Sequence, residues 1–462
     1  IHCWSVGQGN DDFNRAMQLG LYSVLFCTQG MLDSQFALPQ CIQIITNGIA
    51  NVSGSEPIAP FNATLIGMSQ VLPKEIDDVH CQLLDIGVQT NDVFVSQQCL
   101  FELMRGGNIE LALRGRFRFA KAYQPVLLDN DALDKLIIEE GKNYLVIGGL
   151  GNFGMELSEF IGAKHGGRIF LSTRMQFPDK NTWTDWLNNQ PDSSITDKIR
   201  QIQAIEQLGA EVHIVRADVC DKASLMTVKA YIEDDFGPLS GVVHAAGIVD
   251  SGMIAQKTTY SLEQVFAAKV QGTQLVCDVF LTQALDFLIL CSSMNSIIGG
   301  LGQLDNTAAN AYIDAYAEYC QGLGYSQVLA LNWGAVNEAR ARNYSAQPQF
   351  AKLSEEHIKN KMEKHEIFDV YHRLFSCHLG PRVVVSTIDF NQVIDNWSRV
   401  GSLKSLLKVG VSKKRQRTLS HDTQLPVSDI EKAIASLWQD LLGVDVVVQA
   451  DDFFSLGGNS LV

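Results

Sequence analysis

The sequence predicts an α/β protein made of two Rossmann-like, doubly wound subdomains, and three observations lead there. Strand-like apolar runs alternate with amphipathic helical stretches along most of the chain, the rhythm of a parallel sheet with helices on its faces. A glycine-rich turn, Val146-Ile-Gly-Gly-Leu-Gly-Asn-Phe-Gly154, follows one such run and opens a helical one. With 46% hydrophobic and 19% charged residues over 462 positions, there is enough apolar material for two or three domains and no sign of bulk disorder.

In residues 1–135, strands are expected at 1–6, 22–28, 40–46, 63–68 and 80–85. None of the intervening turns carries a phosphate-cradling glycine pattern. This unit is therefore expected to be a structural, cofactorless half, truncated at its start. Residues 109–119 are basic and alternating, which predicts an exposed edge strand or hairpin.

Residues 136–400 predict seven strands, at 144–147, 168–172, 211–216, 241–244, 287–291, 328–332 and 382–386. Helices between them include 155–163, 199–208 and one starting near Thr307. That pattern describes a doubly wound sheet. Residues 401–425 are polar and locally basic (Lys413, Lys414, Arg415, Arg417), the composition of a linker. A further helix over 430–442 leads into Asp451-Asp-Phe-Phe-Ser-Leu-Gly-Gly-Asn-Ser460 within a last unit, 426–462.

A net charge of −15, from 36 basic and 51 acidic residues, disfavours nucleic acid and anionic membrane as partners. No apolar run approaches the roughly 18 residues that a membrane-spanning helix requires. Ten cysteines without a CxxC pair predict a reduced, cytoplasmic protein with mostly buried thiols, and no metal is expected. The chain opens on Ile rather than Met, with no signal peptide, and is expected to be a piece of something longer.

The glycine-rich turn would let backbone N–H groups approach a pyrophosphate at the positive end of the following helix. Its candidates are Gly148, Gly149, Gly151, Asn152, Phe153 and Gly154. The next strand ends in Leu171-Ser172-Thr173-Arg174. An arginine there, where an NAD enzyme places a carboxylate, favours a 2′-phosphate and hence NADPH. Asp218 and Val219 close the third strand, and His244-Ala245-Ala246-Gly247 closes the fourth with small residues.

The segment Cys291-Ser-Ser293 through Gly299-Gly-Leu-Gly302 to Asn306 and Asn310 resembles the ketoreductase domains of modular polyketide synthases, a branch of the short-chain dehydrogenase/reductase superfamily. Their pattern is a Ser, a Tyr thirteen residues later, and an Asn four beyond. Phe266-Ala-Ala-Lys269-Val-Gln-Gly272 is similar to their lysine motif. The resemblance implies that Lys269 anchors the nicotinamide ribose, Ser293 donates to the substrate carbonyl and Asn310 orders a proton relay. It also implies Asn332 beside the cofactor. Ile147 stands where the family has Thr, and Asn152 where it often has Gly. The implied substrate is a β-ketoacyl thioester tethered to a carrier protein, and the implied partners are other domains of the same synthase.

Position 306 departs from the pattern, because it holds Asn where the family's Tyr protonates the developing alkoxide. A carboxamide has no proton to transfer near neutral pH. Losing a general acid costs about 10²–10⁴-fold in rate, or roughly 2.7–5.4 kcal/mol of barrier. Tyr312 and Tyr316 are expected to pack α-helical neighbours rather than substitute, lying about 240° round and about 15 Å along the helix. The family's stereochemical markers are weak as well: Val249-Asp250-Ser251 replaces Leu-Asp-Asp, and Ile298 replaces a Trp. The reading is a reductase-deficient domain. A slow or water-assisted reductase, a cofactor-binding scaffold and an α-carbon epimerase are the alternatives, and a free-standing sugar-nucleotide epimerase would lack the last unit. That unit resembles the start of an acyl or peptidyl carrier domain, which makes Ser460 the implied attachment point of 4′-phosphopantetheine.

Overall fold

The computed structural model describes residues 1–7, 12–34, 39–76, 78–87, 93–107, 109–126, 137–165, 167–191, 193–248, 250–334, 362–377, 379–400, 425–442, 444–449 and 451. Val249, almost all of the expected linker and Ser460 lie outside the described residues.

The first elements are α1 (Phe13–Leu19), α2 (Leu21–Asp33), β1 (Cys41–Asn47), α3 (Pro60–Ala63), α4 (Ile66–Glu75), β2 (His80–Ile86), α5 (Val93–Arg105), β3 (Glu110–Arg114) and β4 (Phe117–Ala120). They form a four-stranded sheet in the order β1-β2-β3-β4, parallel except for the β3–β4 hairpin. The basic hairpin at 109–119 is where it was expected, turning through Gly115 at φ +56. Two expected strands are helical instead: 22–28 lies within α2, and 63–68 runs from α3 into α4. Tyr22, Val24, Leu25, Ala63, Leu65, Ile66 and Met68 are all buried. A helix buried on most of its faces loses the polar stripe that distinguishes it from an apolar strand. Residues 1–6 contribute one bridge, His2 to Ile44, rather than a strand.

The second sheet is built from β5 (Asn143–Ile147), α6 (Asn152–His165), β6 (Arg168–Thr173), α7 (Trp183–Asn189), α8 (Ser194–Gln207), β7 (Glu211–Arg216), α9 (Lys222–Phe236), β8 (Leu239–His244), α10 (Thr259–Phe266), a π-helical turn (Ala267–Gln271), α11 (Gly272–Phe280), β9 (Phe287–Ser293), α12 (Asn295–Ile298), α13 (Leu304–Gly322), β10 (Val328–Trp333), α14 (Lys364–Ser376), β11 (Arg382–Val385) and α15 (Phe390–Val400). A last helix, α16 (Asp429–Leu442), follows the region of the expected linker. Seven parallel strands run in the order β11-β10-β9-β8-β5-β6-β7, each within about two residues of its expected position. The order reverses between β5 and β8, and such a reversal opens a crevice at the carboxyl ends of the strands. The small sheet has no reversal among its described strands.

Helix α13 joins the two sheets. Every residue from Leu304 to Ala317 is buried. One side packs on β9 and β10, the other on α3 and α4. A side chain at Gly67 of α4 would put its Cβ 2.8 Å from that of Ala308 and 3.1 Å from Leu304 Cδ1, so only glycine permits this approach. Phe61 stacks on Tyr312 at 5.3 Å across the same contact. A single apolar core therefore runs from Met17 and Leu65 to Leu288 and Ala308.

On α6, Glu156 has a buried Oε2 with no partner among the described residues. Burial, then the charge of Glu159, pushes its carboxyl up to about 7. A carboxyl raised above its unfolded value binds more protons in the native state between the two pKa values. Its contribution to stability is thus intact at pH 4 and lost as pH rises through 7. Glu156→Gln is expected to raise the melting temperature by roughly a few degrees at pH 8 and to leave it unchanged at pH 4, checked by calorimetry; a pH-independent difference would count against the assignment.

Candidate functional site

The crevice at the reversal is lined first by the turn between β5 and α6. Gly148 has φ +77, and a Cβ there would lie 2.7 Å from the backbone N and Cα of Ala246, so the turn lies directly against the chain leaving β8. A Cβ at Gly154 would fall 2.6 Å from Gly149 Cα, which seats α6 on its own turn. Gly149 N–H donates to Ser172 O at 3.1 Å, and Ala245 N–H to Ile147 O at 2.8 Å. Asn152 is the first helical residue and is exposed with Gly151. Asp78 is the only described non-glycine residue with positive φ, so the turn demands no unusual conformation of Asn152. Phe153 packs on Trp333 at 5.1 Å.

At the rim, Thr173 Oγ1 accepts from Met175 N–H, and Arg174 is exposed. Asp218 Oδ1 accepts from Cys220 N–H at 3.0 Å. The Cys220 thiol is pushed up to about 11 by burial and then by Asp218, against the opposing charge of Arg174, so the three groups share one neighbourhood. Val219 instead packs in the core, against Gly272. Exposed Gly151 and Asn152 at a helix start, small Ala245 to Gly247, and Arg174 beside Asp218 fit a dinucleotide: the turn could hold its pyrophosphate and Arg174 a 2′-phosphate.

The second cluster is held together by hydrogen bonds. Lys269 sits in the π-helical turn, a local widening of the helix often found at functional sites. Its stem crosses Gly247, where a Cβ would meet Lys269 Cε at 2.8 Å. Nζ donates to Asn310 Oδ1 at 2.8 Å and to Cys291 O at 3.3 Å. Asn310 Nδ2 donates to Asn306 Oδ1 at 2.9 Å and to its carbonyl at 2.7 Å, the i, i+4 geometry of one helix face. Asn306 Nδ2 lies 3.3 Å from Gln303 Oε1, which also accepts from Asn295 Nδ2 at 2.7 Å. Asn295 N–H in turn donates to Ser293 Oγ at 3.2 Å. Lys269, Asn310, Asn306 and Ser293 thus belong to one chain of contacts, with Gln303 and Asn295 between the last two.

Other groups answer to the protein interior. Asn332 is fully buried, and its Nδ2 lies 2.9 Å from Ser296 Oγ and from both oxygens of Asp314. Tyr312 and Tyr316 stack at 5.5 Å, and burial raises both phenols well above their usual range. His244 is lowered to about 4 by burial and then by the charge of Lys269, so it stays neutral.

Sequence reasoning did not find the buried ion pair beside Asn306. Lys257 Nζ lies 2.6 Å from Asp305 Oδ2 and 3.1 Å from Asp250 Oδ2. Asp305 Oδ1 accepts from Asn306 N–H at 2.8 Å. The only sequence signal was a lysine two residues beyond the short apolar run at 253–255, with its main partner 48 residues away. Among the described residues no group of three or more His, Cys, Asp or Glu is placed to hold a metal, and no helix is long and apolar enough to cross a membrane.

Residues 142–338 match the family model of the KR domain. More particularly, the chain is 30% identical over 302 residues to 6-methylsalicylic acid synthase of Aspergillus terreus, covering 64% of this chain and 16% of that protein. It is 28% identical over 302 residues to a phenolphthiocerol/phthiocerol polyketide synthase from Mycobacterium tuberculosis, with the same coverage of 64% and 16%. The chain spans about a sixth of the length of these curated relatives. Its fold is shared with A-type ketoreductases from a modular polyketide synthase, with a TM-score of 0.67 at 22% identity, covering 83% of this chain and 76% of that one.

Titration of protein fluorescence with NADPH and NADH tests the rim. Arg174→Ala is expected to weaken NADPH binding about tenfold or more, as loss of a charge-assisted hydrogen bond does, and to leave NADH nearly unchanged. Equal loss for both would overturn the role given to Arg174.

Proposed function

We propose that the chain is the ketoreductase region of a polyketide synthase module that binds NADPH but does not carry out efficient reduction. In this reading residues 1–135 are a structural half without cofactor, 136–400 the NADPH-binding half, 401–425 a linker and 426–462 the beginning of a carrier domain. The family reaction is reduction of a carrier-bound β-ketoacyl thioester to the β-hydroxyacyl product. Ser460 would carry 4′-phosphopantetheine, which delivers such acyl chains, and other domains of the same synthase would be the working partners.

The observation that carries this reading is the state of Asn306. Its carboxamide oxygen takes a hydrogen bond from Asn310, and its nitrogen leans on Gln303. From Lys269 to Gln303 the side chains beyond the lysine are neutral amides, none of which releases a proton near pH 7. Lys269 and Ser293 still supply a cation and a hydroxyl, so a carbonyl would be polarised but not protonated.

One other reading has an observation in its favour. The bond from Asn306 Nδ2 to Gln303 is long, at 3.3 Å, so this amide remains a donor that, with Ser293, would stabilise an enolate oxygen. That chemistry suits α-carbon epimerisation, and exchange of the α-hydrogen of a β-ketoacyl thioester with deuterated water, without net reduction, would detect it.

The direct test is NADPH oxidation with a β-ketoacyl thioester. Asn306→Tyr is expected to reduce it at least about 100-fold faster than the unmodified chain, the lower bound for a restored general acid. Robust turnover by the unmodified chain would mean that water or another group supplies the proton, and the reductase-deficient reading would be abandoned.

A further inference from the structure

We propose that Glu75, at the end of α4 in the small-sheet half, is a positioning residue that clasps two loops of the large-sheet half and so sets the placement of Asn306; the functional side of this proposal rests on the carbonyl-pocket reading above. Glu75 is 8% exposed. Its Oε2 accepts from Ile254 N–H at 2.5 Å and its Oε1 from Gly302 N–H at 2.9 Å. Ile254 lies between β8 and α10, and Gly302 between α12 and α13, so one carboxylate spans two separate β-to-α connections.

Three further contacts give that span a direction. Gly252 N–H donates to Gly302 O at 2.9 Å, so the two loops also touch each other at the clasped point. Gln29 of α2 donates from Nε2 to both Ile254 O and Lys257 O at 2.7 Å, holding the first loop from the same half. Gly299, at φ +62, lies so close to α4 that a Cβ would fall 2.9 Å from Gln70 Cβ. The first loop ends in Lys257, whose ammonium meets Asp305, and Asp305 caps Asn306 N–H. The second loop leads directly into α13, three residues before Asp305. Both arms of the clasp end at the first turn of the helix that carries Asn306 and Asn310.

Apolar packing alone would join the halves without the desolvation cost of a buried carboxylate. What a carboxylate adds is geometry, since its two oxygens hold two N–H groups at a set separation. Glu75→Gln retains the shape but turns one acceptor into a donor facing an N–H group. Glu75→Asp retains the charge but is one methylene short of both loops.

Hydrogen–deuterium exchange on the full chain is the first readout. In Glu75→Gln, peptides covering 250–258 and 299–306 should exchange about tenfold faster or more, while β1, β2 and β9 remain as protected as in the parent. Unchanged loops, or acceleration spread equally over the strands, would overturn the clasp. The second readout is kinetic, in an Asn306→Tyr background: adding Glu75→Gln should lower kcat about tenfold with NADPH affinity unchanged. An unaltered kcat, or a loss of NADPH binding, would overturn the positioning role. If Asn306→Tyr itself shows no reduction, it is the functional reading that fails, and exchange alone then decides the clasp. Should Glu75→Gln not fold, Glu75→Asp is measured in the same ways, with the same signs expected and smaller effects.

Discussion

The rest of the structure depends on the burial of α13 between the large sheet and helices α3 and α4. The helix supplies the candidate site with Asn306 and Asn310 on one face, and the core with Leu304, Ala308 and Tyr312 on another. Close approach sets how near it comes to the small-sheet half, because Gly67 lets α4 come within side-chain contact of Ala308. Interiors at crystal-like density transmit displacements instead of absorbing them. A shift of α4 would therefore be felt at the carboxamide chain, and this is why a half with no glycine-rich turn of its own belongs to any account of the site.

The candidate site pairs one fixed cation with a run of neutral amides. The ammonium of Lys269 donates to the oxygen of Asn310, which begins the run. Each amide oxygen along the run accepts from the previous residue, so the dipoles align and each bond polarises the next. Such an arrangement holds side chains in place well and moves protons poorly. In the reductase-deficient reading proposed above, rigidity and inertness have the same origin, the carboxamide at position 306.

Much of this was legible in the residues. All seven strands of the large sheet could be read because each is an apolar run bounded by turn residues, and the glycine turn could be read because only glycine fits where Gly148 meets Ala246. The link between Asn306 and Asn310 follows from their four-residue spacing. The helices at 22–28 and 63–68 were not legible, because both are buried too completely to show a periodic polar face. Nor were Lys257 with Asp305, or Glu75 with Gly302, since nothing local in a sequence pairs groups that only the fold brings together. Asn332 and Val219 show the complementary limit: the structure gives both residues partners within the protein interior.

The contact at Gly67 also bears on how the protein is made. A ribosome releases α4 long before α13, and at about 5–20 residues per second the interval between Gly67 and Ala308 is roughly 10–50 s. Throughout that interval the face of α4 at Gly67 has no Leu304 or Ala308 to pack against it. The small-sheet half must persist as a half-built cradle, open to water and to other nascent chains, until its occupant has been synthesised.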